Sequence, residues 1–139
     1  MAVVALVAWL LTASAGIVVL AAWLRGRRRG ARFPARLVGL HLVTGVAGLS
    51  LWLGHVFAGS LSAGWLAFAV LNVNNGLGDA ILTGRVRAVA GVRSTWLRDY
   101  GRALGAVLRG RRPPVAVFHG LAAGVTYFVT LAACVLATW

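Results

Sequence analysis

The chain has 139 residues, 60% of them hydrophobic and 12% charged, with a mean hydropathy of +0.87. A soluble domain carries about 25% charge, so a soluble fold is excluded. The net charge of +12 does not point to nucleic acid: all 14 basic residues are Arg, confined to 25–36 and 85–112, where they flank apolar segments of spanning length and meet anionic lipid headgroups as counter-charge.

A membrane-crossing helix needs about 20 largely apolar residues, and four segments supply them. The first, 2–24, is followed by Arg25, Arg27, Arg28, Arg29, Arg32 and Arg36 and preceded by no charged side chain. Lys and Arg accumulate on the cytoplasmic side, which sets the amino terminus outside. A secretory signal would carry its charge before the apolar stretch instead. The second span, 37–58, turns through Ala58-Gly59-Ser60-Leu61 as an external hairpin into the third, 61–84.

Between 85 and 112, Trp96, Leu97, Tyr100, Leu104, Val107 and Leu108 recur at three- and four-residue spacing, with Arg98, Arg102 and Arg109 between them. This predicts an amphipathic helix over about 94–109, capped by Ser94, lying in the headgroup plane with its apolar side inward. A docking surface for a partner subunit is the alternative use of that face. Pro113-Pro114 ends the segment and re-aims the chain into the fourth span, 115–139.

The expectation is therefore an all-α, integral membrane four-helix bundle, one transmembrane domain over 1–139 with both termini outside. A composition rich in Ala, Gly, Val and Arg, without Lys or Glu, suits a bacterial inner membrane. Small residues mark faces where helices approach closely in lipid: Gly45 and Gly48, Gly76 and Ala80, Ala123 and Ala133. Cys134, the sole cysteine, reads as a buried apolar residue.

Polar residues at bilayer depth are costly and by default functional. They are His41, His55, Asn72, Asn74, Asn75, Asp79 and His119. His41 lies five residues after Arg36, Asp79 six before Arg85 and His119 seven after Arg112, so all three sit roughly 7 to 11 Å inside the cytoplasmic boundary. Two histidines at one depth on facing helices suit the axial positions of haem iron. Gly45 and Gly48 after His41, with Ala123 and Thr126 after His119, would leave room for a flat ring, and Arg32, Arg36, Arg111 and Arg112 would meet its propionates.

On His41, His55 and His119 the chain resembles the four-helix b-type membrane cytochromes of the cytochrome b561 and cytochrome b families, over spans two and four only. His55 follows His41 by fourteen residues, near one stripe and toward the opposite face, but the position fourteen beyond His119 is Ala133. The resemblance thus implies at most one haem b, on the cytoplasmic side, with His41 and His119 as ligands and a role in electron transfer. His55, beside Trp52 and Phe57, reads as an interfacial histidine.

Two further readings stay open. Asn72, Asn75 and Asp79 share one helical face, and with His41 and His119 they would form a divalent metal site for Zn, Mn or Fe, or a proton relay, as in a metal or proton transporter. In the haem reading Asp79 and Asn75 become supporting or proton-linked groups; structurally, Asp79 would pair with Arg85 or Arg87. A cofactor-free assembly subunit, partnered with other membrane subunits or with copies of itself, is the other alternative. Asp99 is expected to pair locally with Arg98 or Arg102. No motif for covalent catalysis or phosphate binding is present, so an independent enzyme is not expected.

Overall fold

The computed structural model describes residues 1–25, 35–90, 95–110 and 113–139, with backbone alone at 85–90 and 96. Every described element is helical: α1 (Ala2–Arg25), α2 (Ala35–Ala58), α3 (Leu61–Ala90), α4 (Trp96–Leu108) and α5 (Pro114–Thr138). Three of them, α1, α2 and α5, are long and apolar enough to cross a membrane. α3 was expected as a span over 61–84 and is longer still at 30 residues. Asn72, Asn74, Asn75 and Asp79 dilute its apolar character, and it does not qualify by composition.

Local chemistry sets the boundaries. Gly59 adopts φ +65°, which only glycine takes without strain, and turns α2 back into α3. Ser60 then caps α3, its Oγ accepting the Ala63 N–H at 3.2 Å. Pro114 opens α5 at a position where its missing N–H costs nothing. Gly110, at φ +63°, closes α4 and donates its N–H to the Val107 carbonyl at 3.0 Å. The expected Ser94 cap lies outside the described residues; Thr95 stands at the N-cap without a side-chain capping bond.

The long helices pack as a ring of neighbours, α1 on α2, α2 on α3, α3 on α5 and α5 on α1, so that α2 and α5 stand on a diagonal without backbone contact. Polar cross-links fix antiparallel registers: Trp9 Nε1 donates to Thr130 Oγ1 at 3.0 Å, Thr12 and Thr126 share a hydroxyl bond of 2.8 Å, and Trp52 Nε1 donates to the Ala2 carbonyl at 3.2 Å. The apolar core of Ala5, Trp9, Trp52, Ala67, Leu71, Ala133 and Cys134 fills the half nearer the 58–61 turn. The opposite end gathers Arg25, Arg36 and α4.

One expectation about α4 is corrected. Its inward face is Asp99, Ala103 and Val107, packed mainly on α3, while Leu104 and Leu108 point outward. Asp99, for which local pairing with Arg98 or Arg102 is expected, is 1% exposed. Spacing alone misleads here because Leu97, Leu104 and Leu108 form a stripe of their own, about a third of a turn from the buried one.

Candidate functional site

His41 on α2 and His119 on α5 reach across the diagonal of the ring and meet. Their imidazole centroids are 6.2 Å apart with the ring planes at 88°. Each ring is anchored from behind by a neighbouring helix: His41 Nδ1 lies 3.0 Å from the Asn74 carbonyl oxygen, and His119 Nδ1 lies 3.0 Å from that of Thr12. A carbonyl oxygen has no proton to give, so Nδ1 donates in both bonds. In the neutral ring the lone pair is then on Nε2, which has no hydrogen-bond partner among the described residues. Tying one ring nitrogen to fix the other as a ligand is how proteins prepare histidine for metal coordination.

A repeated device makes these bonds possible. Inside a helix the carbonyl of residue i already accepts the N–H of residue i+4, and the side chain at i+4 crowds any second donor. Each carbonyl used here is followed four residues later by glycine. A Cβ at Gly16 would fall 3.0 Å from His119 Cε1, and one at Gly78 would fall 3.3 Å from His41 Cε1. His55 repeats the pattern at the other end, with Nδ1 donating to the Ser60 carbonyl at 3.0 Å and a Cβ at Gly64 only 3.0 Å from that nitrogen. His55 is buried and lies against Trp52 at a centroid distance of 4.8 Å, so it ties the α2–α3 hairpin together.

Asn74 contributes twice. Its carbonyl anchors His41, and its side-chain oxygen accepts from Thr44 Oγ1 at 2.8 Å, linking α2 to α3 one turn beyond the histidine. Gly45 faces the Asn74 amide, with 3.8 Å to the position of a Cβ. Gly48 is taken up by the Trp9 indole, whose Cη2 would be 2.7 Å from a Cβ there. Gly48 lies seven residues past His41, about 10 Å along the helix, so with Trp9, Thr12 and Thr126 it forms a packed floor below the imidazoles and not the clearance expected beside them.

The remaining expected residues do not converge on the histidines in the same way. Asn75 and Asp79 are half-buried on a stripe of α3 turned about 100° from the Asn74–Gly78 stripe. That stripe continues the row of Trp65 and Phe68, which meet α5 at Thr138 and Tyr127. Among the described residues no group of three or more His, Cys, Asp and Glu side chains is placed to hold a metal ion, so the expected His41–Asp79–His119 set is not assembled. Asn72 is exposed and donates to its own helix at the Phe68 carbonyl, 2.7 Å away. Gly76 is exposed with nothing near it, not a packing contact. Ala123 is half-buried one turn after His119, and Arg36 is exposed near the start of α2. Arg32, Arg111 and Arg112 lie outside the described residues, as do the side chains of Arg85 and Arg87.

Sequence reasoning missed Gly16, Gly78, Thr12 and Thr44 and ranked Asn75 above Asn74. One signal was available: each histidine has a helical partner segment in which a polar residue precedes glycine by four, Thr12–Gly16, Ser60–Gly64 and Asn74–Gly78. Compared with family models, curated proteins and solved structures, the chain matches none.

Proposed function

We propose that this chain is a small membrane haem b-binding protein, a cytochrome-like electron-transfer protein or subunit, with His41 and His119 as the axial ligands. The observation that carries the proposal is their spacing. With a metal–nitrogen bond of about 2.0–2.1 Å and a ring centroid roughly 1 Å behind its nitrogen, two imidazoles on one metal have centroids about 6 Å apart. Here the distance is 6.2 Å, with both Nε2 atoms carrying the lone pair.

The number of donors favours haem over a bare ion. A structural or catalytic transition-metal site uses about three or four protein ligands, whereas a porphyrin brings its own in-plane nitrogens and takes imidazole at the axial positions. Bound haem supplies a one-electron redox centre. The chain supplies the rest. The Asn74 and Thr12 carbonyls hold the rings in orientation, Gly16 and Gly78 leave room for the Cε1–Nδ1 edge of each ring to reach its carbonyl, and the Trp9–Gly48 and Thr12–Thr126 contacts seal the floor. Arg36, exposed near the start of α2, would supply a cation for the propionates.

In this reading the ring of long helices is a transmembrane bundle, and α3 crosses with the others because its Asn74 finds partners inside. The collection of Arg25, Arg36 and α4 at one end supports a cytoplasmic position for that end, both termini outside, in a bacterial inner membrane. An absorption spectrum of protein purified from cells supplied with haem tests the proposal. A Soret band that disappears in His41→Ala and in His119→Ala, and persists in Asp79→Ala, is expected. A helical, folded protein with no Soret band overturns it.

A further inference from the structure

α4 carries three different faces on one short helix. Asp99, Ala103 and Val107 are buried against the long helices, Leu97, Leu104 and Leu108 are exposed at 75%, 42% and 67%, and Arg98, Arg102 and Arg109 are exposed between the two. At 100° per residue the three stripes are about 120° apart. A helix free in water gains nothing from an outward leucine stripe, and a helix docked only on its own protein has no use for a third, purely cationic one. The single carboxylate of α4 is turned inward, so its outward surface combines apolar side chains with positive charge alone. Arg109 folds back over Gly105, its guanidinium 2.8 Å from where a Cβ would be, which keeps the charge along one line.

We infer that α4 is a docking surface for acidic phospholipid, with the leucine stripe in the acyl boundary, the arginine stripe on the phosphates and the third stripe fastened to α3. Apolar burial alone would be indifferent to lipid charge, and charge alone would leave the leucines in water; the pairing of the two at 120° fits the boundary of an anionic leaflet. α4 sits at the end of the helix ring that also carries Arg25 and Arg36, so the surface continues a basic rim already present. The inference does not depend on any cofactor.

The test uses the full chain in nanodiscs holding one copy each, made of phosphatidylcholine alone or with phosphatidylglycerol. A nitroxide at Leu104→Cys and another at Arg98→Cys are probed with oxygen and with a water-soluble nickel chelate, the protein carrying only Cys134 serving as blank. In phosphatidylglycerol discs the Leu104 label is expected to meet oxygen and the Arg98 label nickel. Replacing Arg98, Arg102 and Arg109 together by Gln in the Leu104→Cys protein is expected to abolish the lipid dependence, with a loss on the order of 100-fold in preference for the anionic lipid. A Leu104 label open to nickel in both lipids overturns the inference. So does protection that appears only when discs hold two or more copies, which assigns the leucine stripe to a second chain.

Discussion

Gly16 on α1 lies directly against His119 on α5, close enough that a single added methyl would stand 3.0 Å from the imidazole Cε1. In a helix interior Gly→Ala normally stabilises by roughly 1 kcal/mol through propensity. Gly16→Ala is therefore expected to separate folding from binding: helix content and the thermal midpoint hold or rise, while haem affinity falls by about tenfold or more because His119 must rotate off its Thr12 anchor. Gly78→Ala, with 3.3 Å to His41 Cε1, acts in the same direction and more weakly. Haem titration followed at the Soret maximum, beside far-ultraviolet circular dichroism, checks both.

His55 supplies the contrasting case. Its ring donates to the Ser60 carbonyl at 3.0 Å and packs on Trp52, far along α2 from His41. His55→Ala is expected to lower resistance to denaturant by about 1 kcal/mol through the lost bond and stacking contact. The absorption spectrum of the haem-loaded protein should be unchanged. A spectrum altered as much as in His41→Ala makes His55 a ligand and removes the hairpin role.

The depth of His41 and His119 was legible because charge is a ruler. Arg36 and the 111–112 pair mark the basic end, and a fixed rise per residue places both histidines at one level. Rotation was not legible, because α1, α2 and α5 are apolar nearly all round and exposed hydrophobics cover their outer faces, so no amphipathic stripe announces which side turns inward. On α3 the polar residues did form a stripe, Asn72, Asn75 and Asp79, yet the inward face is the one with Asn74 and Gly78. A buried carbonyl needs only backbone and a missing side chain, which composition does not advertise. On α4 three stripes looked like two, since an outward leucine and an inward valine read alike.

Asn74 and Asn75 are neighbours in sequence and about 100° apart on α3, and they should behave differently. Asn74→Ala removes the acceptor for Thr44 Oγ1 at 2.8 Å but leaves the main-chain carbonyl that holds His41. A loss of about 0.5–1.5 kcal/mol in stability is expected, with a haem affinity lowered only a few-fold. Asn75→Ala and Asp79→Asn are expected to leave the affinity for haem within about twofold, as residues on a stripe separate from the imidazole anchor. A strong loss in Asp79→Asn, accompanied by loss of a stoichiometric divalent metal, points instead to the carboxylate joining the two histidines.

Trp9 and Gly48 provide the sharpest packing test. The indole is 4% exposed and pinned at Nε1 by Thr130, so it cannot slide to admit a methyl that would sit 2.7 Å from its Cη2. Gly48→Ala is therefore expected to destabilise by about 1–3 kcal/mol, against the direction of helix propensity. Trp9→Phe alone also destabilises, through lost burial and an orphaned Thr130 hydroxyl. Together the two changes should cost less than their sum, because the smaller ring vacates the space that the new methyl needs, leaving a coupling of about 0.5–3 kcal/mol in a double-mutant cycle. Strict additivity means that the α1–α2 seam gives way without cost at this contact, and then the floor beneath His41 and His119 is not the rigid support that their fixed orientation requires.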